Sequence, residues 1–545
     1  MTGLTARGIA ALGLAVLVLH IVLIQPNHPA AMTWQALFVF PLELPVILFA
    51  LIALGPTKAA GILRALLAAA LTLIAVLKLA DFISFTALSR GFNPVTDLAL
   101  IEALIRLSTG AMGPVLTVLA VIAVLFAIAA MVWLLWWATG VWSRLAVPRM
   151  TRGVSAVAAI GAAVVATAEI GQAMGRWSLP APAPGAAFTA RVGVERAVMV
   201  QETLAELRAF RNTVTQDQFS GTKDLFAAID RDVLVVFIES YGRTSFDTPF
   251  YAELHRATLS DYKTRLSQLG VAQRSGVLMS PTKGGQSWLA HATVANGLWI
   301  DNQIRYGAAL TSGRDTLFHH AQNNGFHTAA VMPQITLDWP ESNMMGFETV
   351  LAAKDLGYQG EPFNWVTMPD QFTLTALDRF LRNPVTDRHV FAQVALASSH
   401  APWTPVPQIV PWDQIGSGEL FNEMARSGDP PDVVWRDRDR VRLQYKLAVN
   451  YSIQAVFEYA IHHAADPPLM IILGDHQAAE FIALDDRADV PIHVIGPEHL
   501  VARLSEIAPA DGLIPADDVP VIAMDRVRDI LLNAFRHEQI HEVAN

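Results

Sequence analysis

The chain has 545 residues, of which 52% are hydrophobic and only 16% charged, with a net charge of −10 and no cysteine. Soluble proteins carry about 25% charged residues, so part of this chain has a membrane composition. The acidic balance excludes wholesale nucleic-acid binding, and the lack of cysteine excludes disulfides, thiolate-ligated zinc, iron–sulfur clusters and thiol catalysis.

Residues 1–172 hold 9 Lys or Arg and 5 Asp or Glu, against 30 and 44 in the remainder. This first part reads as a transmembrane helical domain with five apolar stretches, at 7–25, 33–54, 60–80, 113–139 and 151–172. Each reaches the roughly 20 residues that a helix needs to cross a bilayer. Arg7, Lys58, Arg64, Arg144, Arg149 and Arg152 mark the cytoplasmic ends. Five crossings then place everything after residue 172 outside the cytoplasm, on the periplasmic side of an inner (plasma) membrane. Between the third and fourth stretches, "IEALIRL" reads as a short amphipathic helix, lying on the membrane or in a solvated loop.

Residues 173–228 read as a linker. "SLPAPAPGAA", 178–187, cannot form helix or strand because proline removes donors and fixes φ. The stretch 195–214 has helical periodicity with mixed charges and leads into the third part, 229–545.

That part reads as an α/β domain with a mostly parallel central sheet. "RDVLVVFIES", 231–240, and "PLMIILGDHQ", 468–477, are near-continuous apolar runs of the kind that form strands buried on both faces. "HTAAVMP", 327–333, "HVFAQVALASSH", 389–400, and "VPIHVIG", 490–496, read similarly, with helices at 313–324, 370–382 and 440–464 between them. Three of the apolar runs finish in Glu239-Ser240, His400 and Asp475-His476. In an open parallel sheet ligands bind outside the carboxyl ends of the strands, so these residues are expected at one edge. In "SPTKGGQSWLAHATVANGLW", 280–299, Gly284-Gly285 makes a turn and Ser287 opens a helix. From this stretch alone Ser287 reads first as an N-cap; the alternative is a nucleophile whose anionic substrate is held by the free amides of the helix start.

Taken together and in this order after the apolar stretches, "VVFIESYGR", "GGQSWLAH", "SSHAPW" and "LGDHQ" resemble the alkaline phosphatase superfamily. The closer likeness is to its sulfatase-like, membrane-anchored branch, the lipoteichoic acid synthases and phosphoethanolamine transferases. The resemblance implies that Glu239, Ser287, Asp475 and His476 hold one divalent metal ion, Zn or Mn with Mg as an alternative. It implies that Ser287 is the nucleophile, and that His400 contacts the transferred group. Lys283, Arg243, Trp339 and Trp403 are weaker candidates for substrate binding. His493 inside "VPIHVIG" reads as a buried strand residue, with a second-metal ligand as the alternative, and His291, four positions after Ser287, as a helix-surface residue, with assistance in proton transfer as the alternative. Ser stands where the transferases usually have Thr. Ser287 is followed by Trp-Leu-Ala rather than x-Pro-x-Arg, which speaks against a formylglycine sulfatase. No Arg lies two residues after Trp339, so the Trp-x-Arg element of the lipoteichoic acid synthases is absent.

The expectation is a metal-dependent phosphotransferase that moves a phospholipid-derived phospho-alcohol group through Ser287 onto a glycan, lipid or other envelope acceptor. A phosphate- or sulfate-ester hydrolase with water as acceptor is the alternative. A non-enzymatic scaffold is disfavoured by the complete set of site residues.

Overall fold

The computed structural model describes residues 5–88, 90–336, 339–364, 367–384 and 387–536. It divides into two units, 1–206 and 207–545.

The first unit is a bundle of helices α1 (Ala6–Ile24), α2 (Glu43–Leu54), α3 (Lys58–Leu88), α4 (Leu100–Met112), α5 (Pro114–Ser143) and α6 (Arg149–Ala173), followed by the start of α7 (Phe188–Val214). Four of them, α1, α3, α5 and α6, are long and apolar enough to cross a membrane. The second expected span is different. Its helix, α2, has 12 residues, because Trp34–Phe38 form a separate 3-10 turn and Gly55 takes φ 60° at its end. At 1.5 Å per residue α2 covers about 18 Å, short of the roughly 30 Å of a bilayer core. It packs beside α6. Glu43 at its start accepts a hydrogen bond from the amide of Ala190 (2.9 Å), and Glu169 near the end of α6 accepts one from Ala187 (2.9 Å). At the opposite end, Gly55 lies against the guanidinium of Arg152, near the start of α6.

Three charged residues at the ends of the bundle have partners within it. Lys78, fully buried, donates to the carbonyl of Leu23 (3.2 Å) and to Thr189 Oγ1 (2.7 Å), and Arg196 donates to both oxygens of buried Asp81. A bilayer offers no water to such groups, so they persist only where the protein satisfies them. Here they tie the start of α7 to the bundle. The expected amphipathic helix is α4.

The second unit holds a nine-stranded sheet among the described residues: β1 (Val233–Ile238), β2 (Ala272–Met279), β3 (His327–Met332), β4 (Thr349–Ala352), β5 (Val390–Ala395), β6 (Leu469–Gly474), β7 (Asp489–Gly496), β8 (Ala510–Asp511) and β9 (Val521–Ala523). The order is β4-β3-β5-β1-β6-β7-β2-β8, with β9 on β2. β4, β3, β5, β1 and β6 are parallel; β7 is antiparallel to both β6 and β2. Because side chains alternate across a strand, β1 feeds two cores. Leu234, Val236 and Ile238 join a layer with helices α8 (Pro249–Gln268) and α10 (Arg438–His462). Val233, Val235 and Phe237 join the opposite layer with α9 (Ser287–Asn296) and α11 (Arg526–Phe535). That two-sided burial is why the run is apolar at every position.

Candidate metal and nucleophile site

The register of the central strands assembles the site. β1 and β6 pair in parallel with Ile238 opposite Gly474, so Glu239 and Asp475 leave the sheet side by side. β5 flanks β1 on the other side, and the chain after it brings Ser399 and His400 to the same edge; Ser399 Oγ donates to the Glu239 carbonyl (2.6 Å). Glycine is required before Asp475, since a Cβ on Gly474 would stand 1.9 Å from the carbonyl oxygen of Tyr241. The chain leaves β1 through Ser240, which takes φ 56°, a costly conformation for a non-glycine residue. It is held there by its amide donating to Asp475 Oδ1 (2.8 Å) and its carbonyl accepting from Tyr445 (2.8 Å).

Ser287 arrives from β2. Gly284, Gly285 and Gln286 have φ of 76°, 143° and 67°, a turn that only glycine makes without strain at its first two positions. The N-cap position belongs to Gln286, not to Ser287, which is the first residue of α9. The Ser287 hydroxyl does not cap its own helix; it donates to Glu239 Oε2 at 2.9 Å. The N-cap reading is thereby replaced by a contact across the site.

Glu239, Asp475 and His476 are buried, and their ligand atoms lie within 4.8 Å of one another. His476 Nδ1 lies 3.0 Å from the carbonyl of Gln477, which can only accept, so Nδ1 carries the proton and Nε2 presents a lone pair. That Nε2 is buried and without a hydrogen-bond partner. It lies 3.1 Å from Glu239 Oε1 and 3.9 Å from Asp475 Oδ1, at ion-pair distance but without the alignment of a hydrogen bond. Lone pairs converging on one point require a cation or an added proton between them. Three oxygen-bearing residues and one imidazole suit Zn²⁺, Mn²⁺ or Mg²⁺, so the residues present fit one divalent ion.

The electrostatics express the same tension. Burial opposes ionisation of Glu239, but the imidazoles of His476 and His400 hold its carboxyl well below the usual range. Burial and the Glu239 charge push Asp475 up to about 8. Burial disfavours a charged His476, but Asp475 and Glu239 raise it to about 9.

His400 lies at the rim, partly buried, with Nδ1 2.6 Å from the Ala401 carbonyl, which leaves Nε2 free to face a substrate. The other sequence candidates are engaged elsewhere. Arg243 pairs with Asp247 (2.9 Å) and Asp489 (3.6 Å), and Lys283 donates to the carbonyl of Asp486 (2.7 Å). Trp339 packs on Phe347, and buried Trp403 donates to the Ser399 carbonyl (2.7 Å) and stacks on Trp435. His493 is buried in β7 beside the Tyr241 hydroxyl (3.1 Å). His291 is not a helix-surface residue. It is buried against the Phe237 ring, its Nε2 has no hydrogen-bond partner, and burial lowers it to about 4. Two supports carried no sequence signal of their own: Tyr445, described above, and Asp370, whose carboxylate accepts from the amides of Ala397 (2.7 Å) and Ser398 (2.8 Å). Gln477, in the same run as Asp475 and His476, is fully buried with both ends of its amide unpartnered.

No family model and no curated protein matches the chain. Solved structures do resemble it. The lipoteichoic acid synthase LtaP from Listeria monocytogenes is 14% identical over 60% of this chain and 77% of its own, with a TM-score of 0.34. The periplasmic domain of phosphoethanolamine transferase EptC from Campylobacter jejuni is 12% identical over 56% and 90%, with a TM-score of 0.35. The phosphoglycerol transferase GacH from Streptococcus pyogenes is 13% identical over 61% and 92%, with a TM-score of 0.35. At such identities and scores, what the chain does has to be read from the site itself.

Proposed function

We propose that the chain is a metal-dependent, membrane-bound phosphotransferase that moves a phospholipid-derived phospho-alcohol group through a covalent Ser287 intermediate onto an envelope acceptor. The observation that carries this reading is the 2.9 Å contact of Ser287 Oγ with Glu239 Oε2 at the start of a ten-residue helix, beside the convergent Asp475 and His476. A hydroxyl bonded to a buried carboxylate is oriented for loss of its proton, and the amides at the helix start favour an anionic group at the point of attack. Glu239, Asp475 and His476, with Ser287, would hold a divalent ion, which when bound lowers the serine pKa and neutralises charge on phosphoryl oxygens.

In the first half-reaction Ser287 Oγ forms a bond to phosphorus and the bond to the diacylglycerol oxygen breaks, that oxygen taking up a proton. His400, when both ring nitrogens carry protons, would hold a phosphoryl oxygen through Nε2 or supply the proton. In the second half an acceptor hydroxyl attacks the phosphoserine and Ser287 departs. The apolar helices supply the reason for a lipid donor, which must be met at a bilayer.

We read the catalytic unit as lying outside the cytoplasm. Positive charges at Arg7, Lys58, Arg64, Arg144, Arg149 and Arg152 require the chain to cross between residues 25 and 58. α2, Glu43–Leu54, together with the residues before it, would have to supply that crossing.

Intact-protein mass spectrometry tests the reading. Full-length protein incubated with mixed phospholipids and Zn²⁺ or Mn²⁺ should gain the mass of a phospho-alcohol on Ser287, and Ser287→Ala should gain none. Cleavage of simple phosphate esters without any adduct would replace transfer by hydrolysis, and an adduct on Ser287→Ala would remove the nucleophile assignment.

A further inference from the structure

Two clefts of about 470 Å³ each lie side by side on α10, sharing Ile409 and Gln454. The first also shares Thr404, Pro405 and Pro407 with a small recess at His400. They form one groove that begins beside the site histidine and follows the helix. Its floor is a single stripe of α10, Arg440, Gln444, Leu447, Tyr451, Gln454 and Glu458, spaced three or four residues apart on one face. The stripe is about 27 Å long at 1.5 Å per residue. The segment 404–409 walls the first cleft, and Thr258, Tyr262 and Arg265 of α8 wall the second.

The chemistry of the lining is selective. Arg440 is paired with Asp429, and Arg265 with Glu458 through two hydrogen bonds (2.7 and 3.1 Å). With its cations neutralised the groove has little to offer a polyanion. The apolar wall residues Pro405, Val406, Pro407 and Ile409 share the lining with Asp429, Arg440, Gln444, Asn450 and Gln454, a mixture that does not suit an acyl chain. Gln444 and Gln454 line it with side-chain amides that have no hydrogen bond among the described residues. Each offers two donors and an acceptor to a ligand.

We infer that this groove binds the acceptor, and that the acceptor is an extended, neutral, hydroxyl-rich chain, a glycan, lying along α10 with one hydroxyl delivered past His400. The inference rests on the phosphotransferase reading and names the substrate of its second half. There the acceptor oxygen forms the new bond to phosphorus, the Ser287 O–P bond breaks, and the hydroxyl proton passes to the departing serine oxygen.

The absence of native cysteine makes the test clean. Gln454→Cys in the full-length protein can be folded first and then capped with a bulky maleimide, with the uncapped protein as its own control. Gln444→Ala/Gln454→Ala removes the free amides without filling the groove. Each protein is given phosphatidylglycerol and phosphatidylethanolamine labelled in the head group, together with envelope fractions. Two readouts are taken: the Ser287 adduct, and label in the carbohydrate fraction against the solvent-extractable lipid fraction. The expected result is an adduct in every variant, label in carbohydrate for the parent protein, and at least a tenfold loss of that transfer in the capped and double-alanine proteins. Unchanged transfer in the capped protein, or label only in lipid, overturns the groove assignment while leaving the adduct in place. No adduct on the parent protein has a different signature, and overturns the phosphotransferase reading and the groove with it.

Discussion

Asp475→Asn separates what the site does for metal binding from what it costs the fold. Asp475 Oδ1 accepts from the amides of Ser240 (2.8 Å) and His476 (2.6 Å). Asparagine keeps that oxygen and the shape, so both bonds can persist. What changes is charge. The carboxyl is fully buried beside Glu239 and is pushed from 3.8 up to about 8. An acid whose folded value is raised binds its proton more tightly in the folded state, so its contribution to stability falls as pH rises from about 4 towards 8. At pH 7 this carboxyl therefore destabilises the metal-free protein, which holds it against the unfolded chain's preference for the ionised form. Relief of that strain should raise the melting temperature of metal-free Asp475→Asn above that of the metal-free parent by several degrees at pH 7. The advantage should shrink towards pH 5. Metal reverses the order: the parent should gain about 2.7 kcal/mol at a hundredfold excess over its dissociation constant, the variant little. Differential scanning fluorimetry of both proteins, with chelator and with Zn²⁺ or Mn²⁺, reads all four states. A metal-free variant less stable than the metal-free parent, or an equal metal-induced shift in both, would refute the reasoning.

Other expectations follow from single contacts. Gly474→Ala should cost several kcal/mol or displace Asp475, because its Cβ meets backbone at 1.9 Å and no flexible side chain can yield; chemical denaturation and metal titration check it. In the second unit the carboxyls of Asp217 and Asp378 are held below their usual values despite burial, by Arg528 and by His463 respectively. Their stabilisation is complete above the unfolded carboxylate range and is lost as pH falls through the lower folded values. An acid limb of stability should therefore begin below about pH 4 and weaken in Asp378→Asn, followed by melting temperature against pH. For topology, Ala59→Cys and Glu506→Cys, both exposed positions, should differ in intact cells: a membrane-impermeant maleimide should label Glu506→Cys and not Ala59→Cys. The reverse pattern, with Ala59→Cys labelled and Glu506→Cys not, would mean that α2 does not cross.

Much of the site was legible before the fold because buried parallel strands must be apolar on both faces, so a polar residue is tolerated only where the strand ends. That is why Glu239 and the Asp475-His476 pair stand out at the ends of β1 and β6. The four long spans were equally visible, since length and hydropathy alone determine whether a helix can cover a bilayer. Ser287 was ambiguous, because an N-cap and a helix-borne nucleophile use the same residue at nearly the same place. Its hydroxyl turns to Glu239, 48 positions away, and only the pairing of strands decides that. His291 and Arg243 show the same limit: helical spacing allowed a surface histidine and nearness in sequence a free cation, whereas packing on Phe237 buried the one and pairing with Asp247 and Asp489 neutralised the other. The second span was misjudged in length because composition counts apolar residues and not whether Trp34–Phe38 and Glu43–Leu54 form one helix. Sequence determined which elements exist and which polar residues end them, through local hydropathy and backbone preference. The tertiary structure alone decided which distant groups converge and which lone pairs are left facing one another. Those are properties of register and packing between segments that the chain keeps hundreds of residues apart.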